Sequence, residues 1–143
     1  MPPSPVQQAF VLWLVAIAAG LFETLVIVIA SDESGAGLAA GVIVRVAVFA
    51  LAVYLAVRMR AGQNWARIAL TGLLGVLGLL SLLIGPVTWL IDGNTLSDLD
   101  LSTSETLFAI SRVVHVVSVV LAVTLMYLPA ANRWFQGPRL AAT

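Results

Sequence analysis

Four ionisable side chains stand inside stretches of this chain that are otherwise apolar: Glu23, Arg45, Arg112 and His115. A carboxylate, two guanidiniums and an imidazole can pair as ions, hold a small anion, or pass a proton. Counted inward from the nearest polar connection, Glu23 is about seven residues in, Arg45 about eight, Arg112 about six and His115 about nine. At about 1.5 Å per residue all four lie about 9–14 Å below one surface, although they come from three separate segments. On a helix, Ser111, His115 and Ser118 follow one stripe, and Arg112 is one turn from His115. Gly20 and Thr24 keep the neighbourhood of Glu23 slim and polar, and Gly41 leaves room one turn from Arg45 for its guanidinium to reach across.

Three readings of this polar layer stay open. The favoured one is a structural ion-pair and hydrogen-bond network: a lone ionisable group at mid-span costs on the order of 2.5–3.5 kcal/mol, and pairing Glu23 with Arg45 or Arg112 offsets much of it. The second is a pocket open to the outer side for a lipid headgroup, a quinone or a small anion. The third is a proton or ion pathway through Glu23 and His115. The inner halves of the same segments are nearly all Val, Leu, Ala and Ile, which poorly supports a continuous path through one chain. Arg112 can also turn its stem outward to the interface.

Other chemistry is excluded more firmly. The absence of Cys removes disulfides, thiolate nucleophiles and Cys-based metal sites, and a single His cannot supply both axial ligands of a haem. No phosphate-binding loop, HExxH or GxSxG occurs, and no metal or cofactor is expected. Asp92, Asp98 and Asp100 with Asn94 offer at most weak divalent-cation binding; turn residues are the favoured explanation. Net charge is zero, without any basic and aromatic cluster, so nucleic acid is not an expected partner.

The elements that must position the layer follow from hydropathy. Of the 143 residues, 61% are hydrophobic and 10% charged, against roughly 45–50% and about 25% in soluble domains. Taking about 20 apolar residues per crossing, spans are predicted at about 10–30, 37–57, 68–91 and 106–128, within one integral membrane domain ending in a cytoplasmic tail, 129–143. The runs are continuous rather than alternating, which excludes barrel strands. Short connections make neighbours antiparallel, giving an all-α, up-down-up-down bundle. Ser102 and Glu105 form a capping-box pattern at the start of the fourth helix, and Pro129 stops it.

Charge sorting sets the threading. Arg58, Arg60, Arg67, Arg133 and Arg139 flank the runs on one side, while Asp32, Glu33, Asp92, Asp98, Asp100 and Glu105 lie in the other two connections. Loops rich in Arg are retained in the cytoplasm, so both termini are expected there. Trp65, Tyr54, Tyr127 and Trp134, with Arg67, fall at the inner interface and Trp89 at the outer one. They read as anchors, as does Trp13 toward the inner side. A cleavable leader ending near Ala30 is disfavoured, because the first run is long, contains Glu23 and follows no basic segment.

Small residues mark packing faces, since lipid gives no hydrophobic drive for helix association. Gly37 and Gly41 form a GxxxG pair, and Gly75 and Gly78 line the third helix beside Thr71 and Gly72. Packing within the bundle is the favoured use, with self-association or docking on a larger partner as the alternative. Gly85-Pro86 is expected to bend or break the end of the third helix.

The segment Asn64-Trp65-Ala66-Arg67 before an Ile-, Leu- and Gly-rich helix, and the close from Tyr127 through Ala130, Ala131, Asn132, Arg133, Trp134 and Phe135, resemble small four-span integral membrane proteins of actinobacteria. The likeness implies the four-helix plan and the membrane location, and no activity. With short loops, glycine faces and no catalytic motif, the expected role is a non-enzymatic accessory or interaction subunit, with the bilayer and a larger membrane complex or a homo-oligomer as partners. A small-molecule or ion transporter acting as an oligomer is the alternative, and a lipid- or quinone-binding enzyme using His115 as acid/base the third.

Overall fold

A backbone in lipid must satisfy its own polar groups, so continuous apolar runs of this length fold as helices. The computed structural model describes residues 1–32, 35–99 and 102–137. Glu33, Asp100 and Arg139 of the charge pattern lie outside the described residues. Among the described residues all regular structure is helical, and four helices are long and apolar enough to cross a membrane. The chain is a membrane protein.

Helix α1 is Ser4–Ala30. It starts ahead of the apolar run, at a Pro in its first turn where a missing N–H costs nothing. Helix α2 is Ala36–Arg60, closed by Arg58 and Arg60, cations suited to the negative end of a helix dipole. The third span has three parts: α3, Asn64–Leu70; a π-helical segment, Thr71–Gly78; and α4, Leu79–Ile91. A short 3₁₀ turn, Leu96–Asp98, precedes α5, Thr103–Met126, and α6 is Pro129–Gln136. At the start of α5 the Glu105 N–H donates to Ser102 Oγ across 3.4 Å, the contact expected from that pair.

The buried core lies at one end of the bundle. It joins Val6, Ala9, Trp13 and Ala16 of α1, Leu55, Ala56 and Met59 of α2, and Ala66 and Leu70 of α3. Val119, Ala122 and Met126 of α5 and Ala131 and Phe135 of α6 complete it. The alanines let the backbones approach, and Trp13 fills the space between them with 0% exposure. Its indole N–H donates to Met126 Sδ across 3.4 Å. Trp13 is thus a core residue rather than an interfacial anchor, because Ala9 and Ala16, a turn to either side, hold no other bulk against its neighbours.

Arg67 locks this terminal end. Its Nη1 donates to Met126 O (3.2 Å) and Asn132 Oδ1 (2.6 Å), and its guanidinium carbon is 4.6 Å from the ring centroids of both Tyr127 and Phe135. Met126 ends α5, so its carbonyl has no partner within the helix and accepts a charged donor instead. Tyr127 OH also meets Thr71 Oγ1 at 3.1 Å, and Asn132 Nδ2 donates to Tyr127 O. Arg67 and Tyr127 therefore bind α3, α5 and α6 together, where the sequence suggested contacts with lipid. Pro129 does more than stop α5: it opens α6, and the proposed tail through Gln136 is folded onto the core.

Burial fades toward the acidic connections. Helix α4 buries nothing, and on α2 burial begins only at Ala52. The π-helical segment makes i→i+5 bonds whose wider turns shift the register between α3 and α4, so the buried stripe of Ala66 and Leu70 passes to Gly75 and is not continued into α4. Gly75 is buried there, and a Cβ on it would stand 3.2 Å from Val123. Gly78 meets only its own helix backbone. Gly85-Pro86 does not break the helix, which runs on to Ile91; the Thr88 hydroxyl donates to the carbonyls of Ile84 and Gly85.

Candidate functional site

The polar layer is built where α1 and α5 lie against each other. Thr24 Oγ1 donates back to Gly20 O (2.8 Å), so its hydroxyl adds no free donor. Across the helix pair, Ser111 Oγ donates to Ala19 O at 3.2 Å. Gly20 is where three helices converge: a Cβ there would lie 2.7 Å from the Phe49 ring of α2 and 3.1 Å from His115 Cε1. Only the lack of a side chain admits both rings.

Glu23 is the centre of the set, with 6% exposure. Its Oε1 lies 3.4 Å from His115 Nδ1 and its Oε2 lies 4.0 Å from Arg112 Nε. An ionised carboxylate only accepts, so in this pairing Nδ1 carries the imidazole proton. The contact to Arg112 is an ion pair at its outer limit, and Arg112 Nε makes no hydrogen bond. The guanidinium is instead drawn over the Phe108 ring, 4.8 Å from its centroid. Phe108 is one turn nearer the start of α5, which is the direction in which helical side chains lean. Ser118 is buried one turn beyond His115.

Arg45 does not join them. It is exposed on α2, and among the described residues it has no ion-pair or hydrogen-bond partner. Depth alone would have admitted it; its direction around α2 takes it away. Gly37 and Gly41 are exposed as well, with nothing within 4 Å of a Cβ on either. Among the described residues the GxxxG pair therefore packs against nothing.

The proposed anchors divide. Trp65 is half exposed and donates to Gln63 Oε1, with Tyr54 6.4 Å from it, while Arg58 lies over Tyr54. Trp89 is partly exposed at the other end, where its carbonyl accepts from Asn94 Nδ2. Trp134 is partly buried and lies against Gly62, whose positive φ of 87° makes the turn before α3. In the acidic connection, Asp98 Oδ2 accepts from Thr95 N–H (2.7 Å) and Thr95 Oγ1 (2.8 Å). Those bonds, the backbone one foremost, hold the Asp98 carboxyl below the usual carboxylate range.

Phe49 is the participant that sequence reading missed. Its signal was an aromatic ring in the interior of α2, one turn from Arg45. Chemically, the layer is one carboxylate, one fixed cation and one titratable imidazole. Beneath it, Trp13, Ala16, Val119, Ala122 and Met126 close the interior with apolar side chains. A hollow of about 410 Å³, along Gln7, Val11, Leu12 and Leu125, has no ionisable group. Compared with known protein families, curated proteins and solved structures, the chain finds no match.

Proposed function

We propose that the chain is a four-span, up-down-up-down protein of the bacterial cytoplasmic membrane, both termini inside, of the actinobacterial kind its aromatic segments resemble. In this reading it is a non-enzymatic accessory subunit of a larger membrane complex. The observation that carries this is the exposed Arg45 on the glycine-lined face of α2. Gly37, Gly41 and Arg45 follow at intervals of about one turn and form one stripe. An unpaired guanidinium at that depth costs on the order of 2.5–3.5 kcal/mol in lipid, and the small residues beside it suit close approach of another helix.

Charge complementarity indicates the occupant. Glu23 is the one carboxylate inside the predicted spans, and it is buried and engaged by His115 and Arg112. A second copy of this chain would bring the same spent carboxylate. A helix of a different protein, with an Asp or Glu at matching depth, supplies what Arg45 lacks. The transporter alternative draws on the Glu23–His115 pair, but the apolar closure beneath that pair argues against a path through one chain.

Native mass spectrometry after gentle extraction tests the proposal. The expected result is a heteromeric assembly that Arg45→Gln dissociates without loss of helix content. A monomer or homo-oligomer, unchanged by that substitution, would refute it.

A further inference from the structure

A groove of about 360 Å³ lies between α4 and α5, lined by Leu83 and Pro86 on one side and Val113 and Val117 on the other, with Arg112 at its edge. We infer that this groove holds one anionic phospholipid, its phosphate on Arg112 and one acyl chain along the apolar walls. The site is on a different pair of helices from the α2 stripe and stands whether or not α2 docks a partner.

The chemistry of Arg112 calls for an acceptor. A guanidinium has five N–H donors, and among the described residues none of those on Arg112 makes a hydrogen bond. Its nearest carboxylate oxygen is 4.0 Å away, and the other oxygen of that carboxylate faces His115. The Arg112 side chain is 30% exposed, so it is reachable. A phosphate offers the paired oxygens that a guanidinium fork binds best.

The geometry fits a lipid better than a free anion. The guanidinium lies 4.8 Å over the Phe108 ring, so the Arg112 stem leans from about 9 Å below the surface toward the opening of the apolar run of α5. That is within reach of the headgroup layer. From Ala109 to Val117 the groove wall descends about 12 Å, approaching half of the roughly 30 Å hydrocarbon thickness. A charged contact at the top and an apolar slot one leaflet deep match the two parts of a single lipid. Inorganic phosphate would use only the first.

The test is lipid retention on the full chain, read by native mass spectrometry after delipidation in the presence of phosphatidylglycerol or of diacylglycerol with the same acyl chains, which lacks the phosphate. The unaltered protein is expected to retain one phosphatidylglycerol, favoured about tenfold over diacylglycerol, the scale of one charge-assisted contact. Arg112→Met should remove that preference. Val113→Trp, at a position 62% exposed and so tolerant of bulk, should fill the slot and lower retention similarly while Arg112 stays in place. Excess inorganic phosphate should not displace the lipid. Equal retention of both lipids, unaltered retention by either folded variant, or displacement by phosphate would each overturn the proposal. If Arg112→Met does not fold, Val113→Trp and the comparison of the two lipids decide it.

Discussion

Substituting Glu23 measures how much of the polar layer is structural. Glu23→Gln keeps an oxygen that can accept from His115 Nδ1–H at the observed 3.4 Å but loses the attraction to Arg112. Two unit charges 4 Å apart interact by about 4 kcal/mol at an effective dielectric constant near 20. Arg112 is partly exposed and free to lean toward the interface, which reduces its share to about 1 kcal/mol. Glu23→Leu removes the acceptor as well and strands the imidazole N–H, a further cost of about 1–2 kcal/mol. The expected losses are therefore about 1 kcal/mol for Gln and about 2–3 kcal/mol for Leu. Reversible unfolding in mixed micelles, followed by helical circular dichroism, measures both. A cycle with His115→Leu should give a coupling of about 1 kcal/mol. If Glu23→Leu were neutral or stabilising, with no coupling to His115, the carboxylate would not be holding α1 to α5, and the structural account of the layer would fail.

Three further outcomes follow from the packing. Arg67→Lys should destabilise the protein by about 2–3 kcal/mol, because an ammonium cannot stack on both Tyr127 and Phe135 while bonding Met126 O and Asn132; micelle unfolding against Arg67→Ala, which should cost more, checks this. Gly20→Leu should cost about 2–3 kcal/mol through collision with Phe49 and His115, whereas Gly41→Leu, with open space around it, should leave the isolated chain's stability within about 0.5 kcal/mol. For Asp98, a lowered folded pKa means that its small contribution is present above the unfolded value and is lost as pH falls below about 4, through the folded value. Carboxyl NMR should find Asp98 titrating below the usual carboxylate range, and Thr95→Ala should raise it only part way, because the backbone N–H bond remains.

The four spans were legible because lipid imposes one strong constraint: the apolar runs had to be long and continuous. Counting residues inward put Glu23, Arg45, Arg112 and His115 in one layer; the structure has Glu23 within 3.4 Å of His115 and 4.0 Å of Arg112, while Arg45 stays apart. Direction around the helix was not legible. In a span apolar on all sides, periodicity gives no core face, so nothing in α2 said that Arg45 turns outward or that burial begins at Ala52. The same lack of contrast hid Trp13, for Trp near an interface and Trp inside a core have the same sequence signature. Arg67 read as a lipid anchor because its partners Met126, Asn132 and Phe135 are remote in sequence. The π-helical turns left no mark beyond the glycines of Thr71–Gly78, which fit a plain packing face equally well.

Whether the Arg45 face of α2 meets a carboxylate-bearing helix of another protein can be tested at that surface. The chain has no Cys, so Gly41→Cys carrying a photo-crosslinker reports on one place alone in native membranes. Cross-linking is expected to a transmembrane segment of a different protein with an Asp or Glu within about one turn of the link. The link should disappear with Arg45→Glu and return when that acidic residue is changed to Arg. Cross-links to lipid alone, cross-links to a second α2, or a protein link that survives Arg45→Glu would contradict this docking.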